Sequence, residues 1–165
     1  MTTFCYILRL LEHFVHASTS YTFCCFITLC EHQSFSLPSG GYSYSIMISS
    51  FCRGGLFEEA KELAEEFEAK YDKYDVAISN AILCAYCRAG EMESVMRTMR
   101  KMDELAISPD YNTFHILIKY FCKEKLYMLA YQTMEDMHRK GHQPAEVCLF
   151  FILTNFHLFI HLFSF

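Results

Sequence analysis

The chain has 165 residues, enough for one domain with a single core. Its net charge of −5 and pI near 5.9 exclude a generic polyanion binder, which would carry a basic surplus, so any nucleic-acid contact must come from a local surface. Nine cysteines would suit a secreted disulfide scaffold only with matching spacing and context; three of them instead follow a 35-residue period on helical segments and read as small buried hydrophobes with free thiols in a reducing compartment.

Residues 1–40 form an atypical N-terminal segment. They hold one basic residue, Arg9, and two acids, Glu12 and Glu31, among Phe, Cys, Thr and Ser. A transit peptide should be rich in Arg and Ser and poor in acids, and a secretory signal needs a basic start and a small-residue cleavage site; neither pattern is clean here. Such a composition also arises when pyrimidine-rich non-coding sequence is translated, so a non-native origin and an atypical capping segment both stay open.

From residue 41 the pattern becomes periodic. Units of 35 residues fit without gaps at 41–75, 76–110 and 111–145. Each opens with an apolar stripe at the spacing of one helix face: Tyr44, Met47, Ile48 and Phe51, then Ser79, Ile82, Leu83 and Tyr86, then Phe114, Leu117, Ile118 and Phe121. A second stripe follows in each: Ala60, Leu63, Ala64 and Phe67, then Val95, Thr98, Met99 and Met102, then Ala130, Thr133, Met134 and Met137. Gly54-Gly55 and Ala89-Gly90 are expected to end first helices, because glycine relieves left-handed backbone strain just past a helix. Pro109 and Pro144 fall in the loops after second helices, and Asp75 and Asp110 are placed to cap the helix that follows. A lone hairpin cannot bury its stripe, so the units must stack. The expected fold is all-α, a short right-handed α-solenoid of about three helix-turn-helix repeats.

Residues 146–165 form an apolar tail. From Val147 onward it has no charged residue and is long enough to cross a bilayer, but Asn155, His157 and His161 would each be costly at mid-membrane, so membrane insertion is not expected. The tail shares the composition of the N-terminus and the same two open readings.

The stretch CAYCRAGE contains a C-x-x-C at Cys84 and Cys87. Its neighbourhood recurs as FCRGG at Phe51, YCRAG at Tyr86 and FCKEK at Phe121, so Cys87 belongs with Cys52 and Cys122 to the repeat, and Cys84 stands beside it. A structural zinc site needs four ligands, and His157 with His161 lies far off in the tail, so no metal and no cofactor are expected. The chain also lacks G-x-G-x-x-G, a Walker loop, G-x-S-x-G and the H-x-E of zinc deaminases, so no enzyme is expected.

The 35-residue period, the phrases YSIMISSFCRGGLFEEAKEL, SNAILCAYCRAGEMESV and YNTFHILIKYFCKEKLYMLA, and the loop endings ISPD and GHQPA resemble plant pentatricopeptide repeats of the plain type. A tetratricopeptide array is the nearest rival, but its Trp, Leu-Gly and Tyr signature is missing. The resemblance implies sequence-selective binding of single-stranded RNA, one base per repeat. By that resemblance, the fifth and last residues of each unit select the base: Ser45 with Asp75 (guanine), Asn80 with Asp110 (uracil), and His115 with Ala145, which fits no common pair. The second residues, Tyr42, Ala77 and Asn112, would stack against bases. The periodic cations Arg53, Arg88 and Lys123 would contact phosphates, which gives affinity without sequence information.

Each assignment has a plainer counterpart. Asp75 and Asp110 serve as helix caps in either case, and cations at a helix C-terminus also ease the macrodipole. The acidic runs at Glu58-Glu59 and Glu65 to Glu68 are expected on a convex, solvated side opposite the cations. The resemblance implies a chloroplast or mitochondrial protein acting in transcript processing, stability, splicing or translation, with other organellar RNA-processing proteins as further partners. A protein-binding solenoid and a non-functional truncated fragment remain the alternatives.

Overall fold

The structure, a computed structural model, describes residues 40–143. Among these are six helices and no strand: α1 (Gly41–Gly54), α2 (Phe57–Lys70), α3 (Val76–Ala89), α4 (Met92–Glu104), α5 (Tyr111–Lys123) and α6 (Tyr127–Arg139). Residues 1–39, Pro144, Ala145 and the tail 146–165 lie outside the described residues, and with them the targeting, membrane and capping readings of the two ends. Among the described residues no helix is long and apolar enough to cross a membrane.

Helices pair as hairpins, α1 with α2, α3 with α4 and α5 with α6. The hairpins stack through their first members, α1 on α3 and α3 on α5, while α2 also packs on α3. The molecule is an all-α repeat solenoid with the first helices side by side.

The expected stripes form the core. Tyr44, Ile48 and Phe51 are buried, as are Ser79, Ile82, Leu83, Tyr86, Phe114, Leu117, Ile118 and Phe121. From the second helices Ala60, Leu63, Ala64, Phe67, Val95, Thr98, Met102, Ala130, Thr133 and Met137 join them, with Met47, Met99 and Met134 half-buried at the margin. Polar members of the stripes are tolerated because each hydroxyl donates to the carbonyl one turn earlier: Ser79 to Asp75 at 2.7 Å, Thr98 to Ser94 at 2.9 Å and Thr133 to Leu129 at 2.7 Å. Phe67 anchors the first hairpin, with the rings of Tyr44, Tyr71 and Tyr74 centred 5.2 to 5.3 Å from its own.

Chain reversals follow one design. After the first helix of each hairpin an amide donates back to the carbonyl five residues earlier: Leu56 to Phe51 (3.0 Å), Glu91 to Tyr86 (2.9 Å) and Leu126 to Phe121 (2.8 Å). That closure requires a left-handed residue, supplied by Gly55 (φ 79°) and Gly90 (φ 82°), as the glycine pattern predicts. In the third hairpin the same place falls to Lys125 (φ 61°).

One expectation is corrected. Glu58 and Glu65 are exposed, but the side chains of Glu66 and Glu68 keep only 19% and 15% of their exposure. The Tyr44 hydroxyl donates to Glu66 at 3.0 Å and the Tyr86 hydroxyl to Glu68 at 2.7 Å. A tyrosine drawn into the core still needs an acceptor, so these carboxylates are structural rather than simply solvated.

Candidate nucleic-acid interface

The residues singled out in the sequence cluster at two levels of the first helices. Tyr42, Ala77 and Asn112 occupy the first turns of α1, α3 and α5 and are exposed, Tyr42 at 74%. Arg53, Arg88 and Lys123 occupy the last turns of the same helices and are exposed as well. Since those helices pack side by side, the two sets form two rows along the stack.

At the caps and in the first two turns of these helices lie the base-selecting candidates, and their geometry differs from unit to unit. Asn80 and Asp110 are joined: the Asn80 side-chain amide donates to Asp110 Oδ1 at 3.0 Å. Asp110 also caps α5, accepting from the Thr113 amide at 2.8 Å. Thr113 completes a capping box by accepting from the Asp110 amide at 3.1 Å, and its hydroxyl reaches Asn80 Oδ1 at 2.7 Å. The Asn80 amide orientation follows from this network, since a carboxylate only accepts and its neighbour must be the NH₂ end. Burial pushes the Asp110 carboxyl up, but the bonds from the Thr113 amide, the Asn80 amide and the Thr113 hydroxyl outweigh it and hold the group below the ordinary aspartate value.

Ser45 is placed differently. It is buried, and its hydroxyl donates to the Tyr42 carbonyl at 2.8 Å, along its own helix. Asp75 accepts from the Ile78 amide at 2.9 Å as the cap of α3. The two share no hydrogen bond among the described residues. His115 is exposed, its ring 6.1 Å from that of Tyr111, and its partner Ala145 lies outside the described residues.

Among the cations, the Arg88 guanidinium lies 5.7 Å above the Phe57 ring, which steadies it while leaving it open to solvent. Lys123 faces Glu124 at 3.8 Å, an exposed pair that contributes little to stability.

Two features escaped the sequence. Thr113 is recognisable only as a hydroxyl three residues past an aspartate, and nothing in that spacing shows that it also reaches the previous unit. The second is the thiol pair Cys52 and Cys84, which bridges α1 and α3. The hydrogen bond with Cys52 favours the Cys84 thiolate against the opposing effect of burial, with help from Arg88 and Lys119, while the same contact and burial push Cys52 up. Among the described residues no group of three or more His, Cys, Asp or Glu is placed to hold a metal ion.

Comparison with known proteins agrees with this geometry. Residues 42–70 match the PPR repeat, residues 74–123 the PPR repeat family, and residues 100–156 the pentatricopeptide repeat domain. A chloroplastic pentatricopeptide repeat-containing protein of Arabidopsis thaliana is 78% identical over 58 residues, which are 35% of this chain and 9% of that protein. Another from the same plant is 32% identical over 108 residues, 63% of this chain and 22% of the relative. The solved pentatricopeptide repeat protein PPR10, in complex with an 18-nucleotide psaJ RNA element, superposes with a TM-score of 0.63 at 21% identity, over 80% of this chain and 19% of that one. The chain thus spans less than a quarter of the length of each of these proteins. It belongs to the pentatricopeptide repeat family.

Proposed function

We propose that the chain is a non-catalytic RNA-binding module, which holds single-stranded RNA along its first helices with Arg53, Arg88 and Lys123 on phosphates and Tyr42, Ala77 and Asn112 against bases. The observation that carries this reading is the joined, half-exposed Asn80–Asp110 pair near the N-terminal ends of α3 and α5. Asn80 keeps one N–H and one lone pair for a ligand, a donor and an acceptor side by side, which complement the O4 or O2 and the N3–H of uracil. Ser45, whose proton is committed to Tyr42, can only accept, and together with the Asp75 carboxylate it suits the N–H groups of guanine. His115 with Ala145 selects no base.

The RNA-bound relative PPR10 supports the ligand class, and the relatives named chloroplastic and mitochondrial support an organelle, with the chloroplast favoured by the 78% identity. The role in that organelle is transcript processing, stability, splicing or translation, in company with other RNA-processing proteins.

Fluorescence anisotropy of the full chain with a labelled RNA carrying a guanine-uracil step tests the reading. Bases must be unstacked to reach the helices, and each is worth about 1 to 3 kcal/mol, so the single strand should bind at least about tenfold tighter than the same RNA in a duplex. Equal affinity for both forms, or no binding to either, would overturn it.

A further inference from the structure

We propose that Thr113 is a specificity-determining positioning residue, which belongs to the third hairpin but fixes the base preference of the second. The proposal rests on the RNA-binding reading above. Thr113 is almost fully buried, at 1% exposure, and its hydroxyl has contacts on both sides of the hairpin boundary. It accepts from the Asp110 amide at 3.1 Å, which leaves its single proton to give away. Two acceptors compete for it, Asn80 Oδ1 at 2.7 Å and Asp110 Oδ1 at 3.0 Å, and the shorter bond is to Asn80.

The consequence concerns which end of the Asn80 carboxamide points where. Asp110 pulls the NH₂ end towards itself, and Thr113 holds the carbonyl end in place. Without the hydroxyl, the carbonyl loses its hydrogen-bond partner among the described residues, and the carboxamide, held by Asp110 at its NH₂ end alone, can swing about its terminal torsion, which is broad for asparagine. A swung amide no longer aims its oxygen at the N3–H of uracil, the contact that separates uracil from cytosine, whose N3 is an acceptor. Thr113 touches no base itself on this account.

The first boundary supplies the contrast. The residue 35 places before Thr113 is Ile78, which has no hydroxyl and is fully buried as core. There the fifth residue, Ser45, bonds along its own helix, and no hydrogen bond joins it to Asp75 among the described residues. The linked pair therefore occurs where an asparagine at the fifth position meets a threonine hydroxyl, and not where serine and isoleucine take those two places.

The test uses the full chain and two labelled single-stranded RNAs in an adenine context, alike except for uracil or cytosine after the guanine. Wild-type protein should prefer uracil by about fivefold, the equivalent of one net hydrogen bond. Thr113→Val, which keeps the shape and removes the hydroxyl, should bring the ratio below about twofold, and Thr113→Ser should keep it. Thr113→Ala serves as the second hydroxyl-free variant should valine disturb the fold, which circular dichroism reports. A purely structural Thr113 would lower both affinities together and leave the ratio alone, and that result would overturn the proposal while the RNA-binding reading stood. A wild-type chain that binds RNA without preferring uracil would overturn the base assignment of Asn80 and the proposal with it; one that binds neither RNA would overturn the RNA-binding reading itself.

Discussion

Tyr120 lies in the core at 3% exposure, and its hydroxyl has no hydrogen-bond partner among the described residues. A buried hydroxyl without a partner costs about 1 to 3 kcal/mol relative to its place in water. Tyr120→Phe keeps the ring against Phe121, 5.8 Å away between centres, and removes the cost. The variant should gain about 1 kcal/mol in urea unfolding, and a loss of stability would show that the hydroxyl is satisfied. Asp110 gives a pH signature. Its carboxyl titrates below its ordinary value in the folded chain, so the contribution is complete above the ordinary aspartate range and is lost as pH falls through the folded value. Asp110→Ala should cost about 1 kcal/mol at neutral pH as a lost cap. The gap from wild type should close on acidification below about pH 4, and a gap independent of pH would contradict the assignment. The cap was legible from an aspartate before an apolar-periodic run. The Cys52–Cys84 contact was not, since Cys84 shares its repeat position with Ser49 and Lys119 and so lies out of register with the periodic cysteines.

At the level of elements, the turn after each first helix shows how far a repeat pattern carries. The helices were legible because apolar residues recur at one-face spacing in every unit, and the glycines at 55 and 90 mark the left-handed reversal. The third reversal has the same closing bond, Leu126 to Phe121 at 2.8 Å, but puts Lys125 at φ 61°. Sequence could not show that the backbone keeps its course there, because lysine, unlike glycine, gives no left-handed signal. A side chain with a Cβ in that region costs about 1 to 2 kcal/mol. Lys125→Gly is therefore expected to stabilise the third hairpin by about 0.5 to 1 kcal/mol, after the greater entropy glycine loses on folding is allowed for. Thermal unfolding followed by circular dichroism checks this, and a lowered midpoint would mean that the lysine side chain makes a stabilising contact worth more than the strain. The acidic run on α2 was misread for a related reason: spacing shows which residues face outward, but not that Glu66 and Glu68 bend back to meet Tyr44 and Tyr86.

For the whole molecule, what matters is that three first helices stand in a row and repeat one arrangement of exposed groups, so that a chain of net charge −5 still offers a cationic line at Arg53, Arg88 and Lys123. Several acids have their own cations, Glu66 with Lys70, Glu68 with Arg97 and Glu91 with Lys61, while Glu124 lies 3.8 Å from Lys123 itself. The stacking was legible from the period, and so was the departure of the third unit at His115 and Ala145; the bond from Thr113 to Asn80 across a hairpin boundary was not. If the line of cations seats an RNA backbone, each phosphate contact releases bound counterions, and the affinity must fall with salt in proportion to the number of contacts. The most direct measurement is the salt dependence of affinity for a single-stranded RNA with a guanine-uracil step, compared between wild type and the Arg53→Ala, Arg88→Ala, Lys123→Ala triple variant. The account predicts a linear fall of log affinity with log salt, with the slope shallower by about 2 in the variant, some 0.7 for each of three lost phosphate contacts. An unchanged slope, or binding indifferent to salt in both proteins, would contradict it.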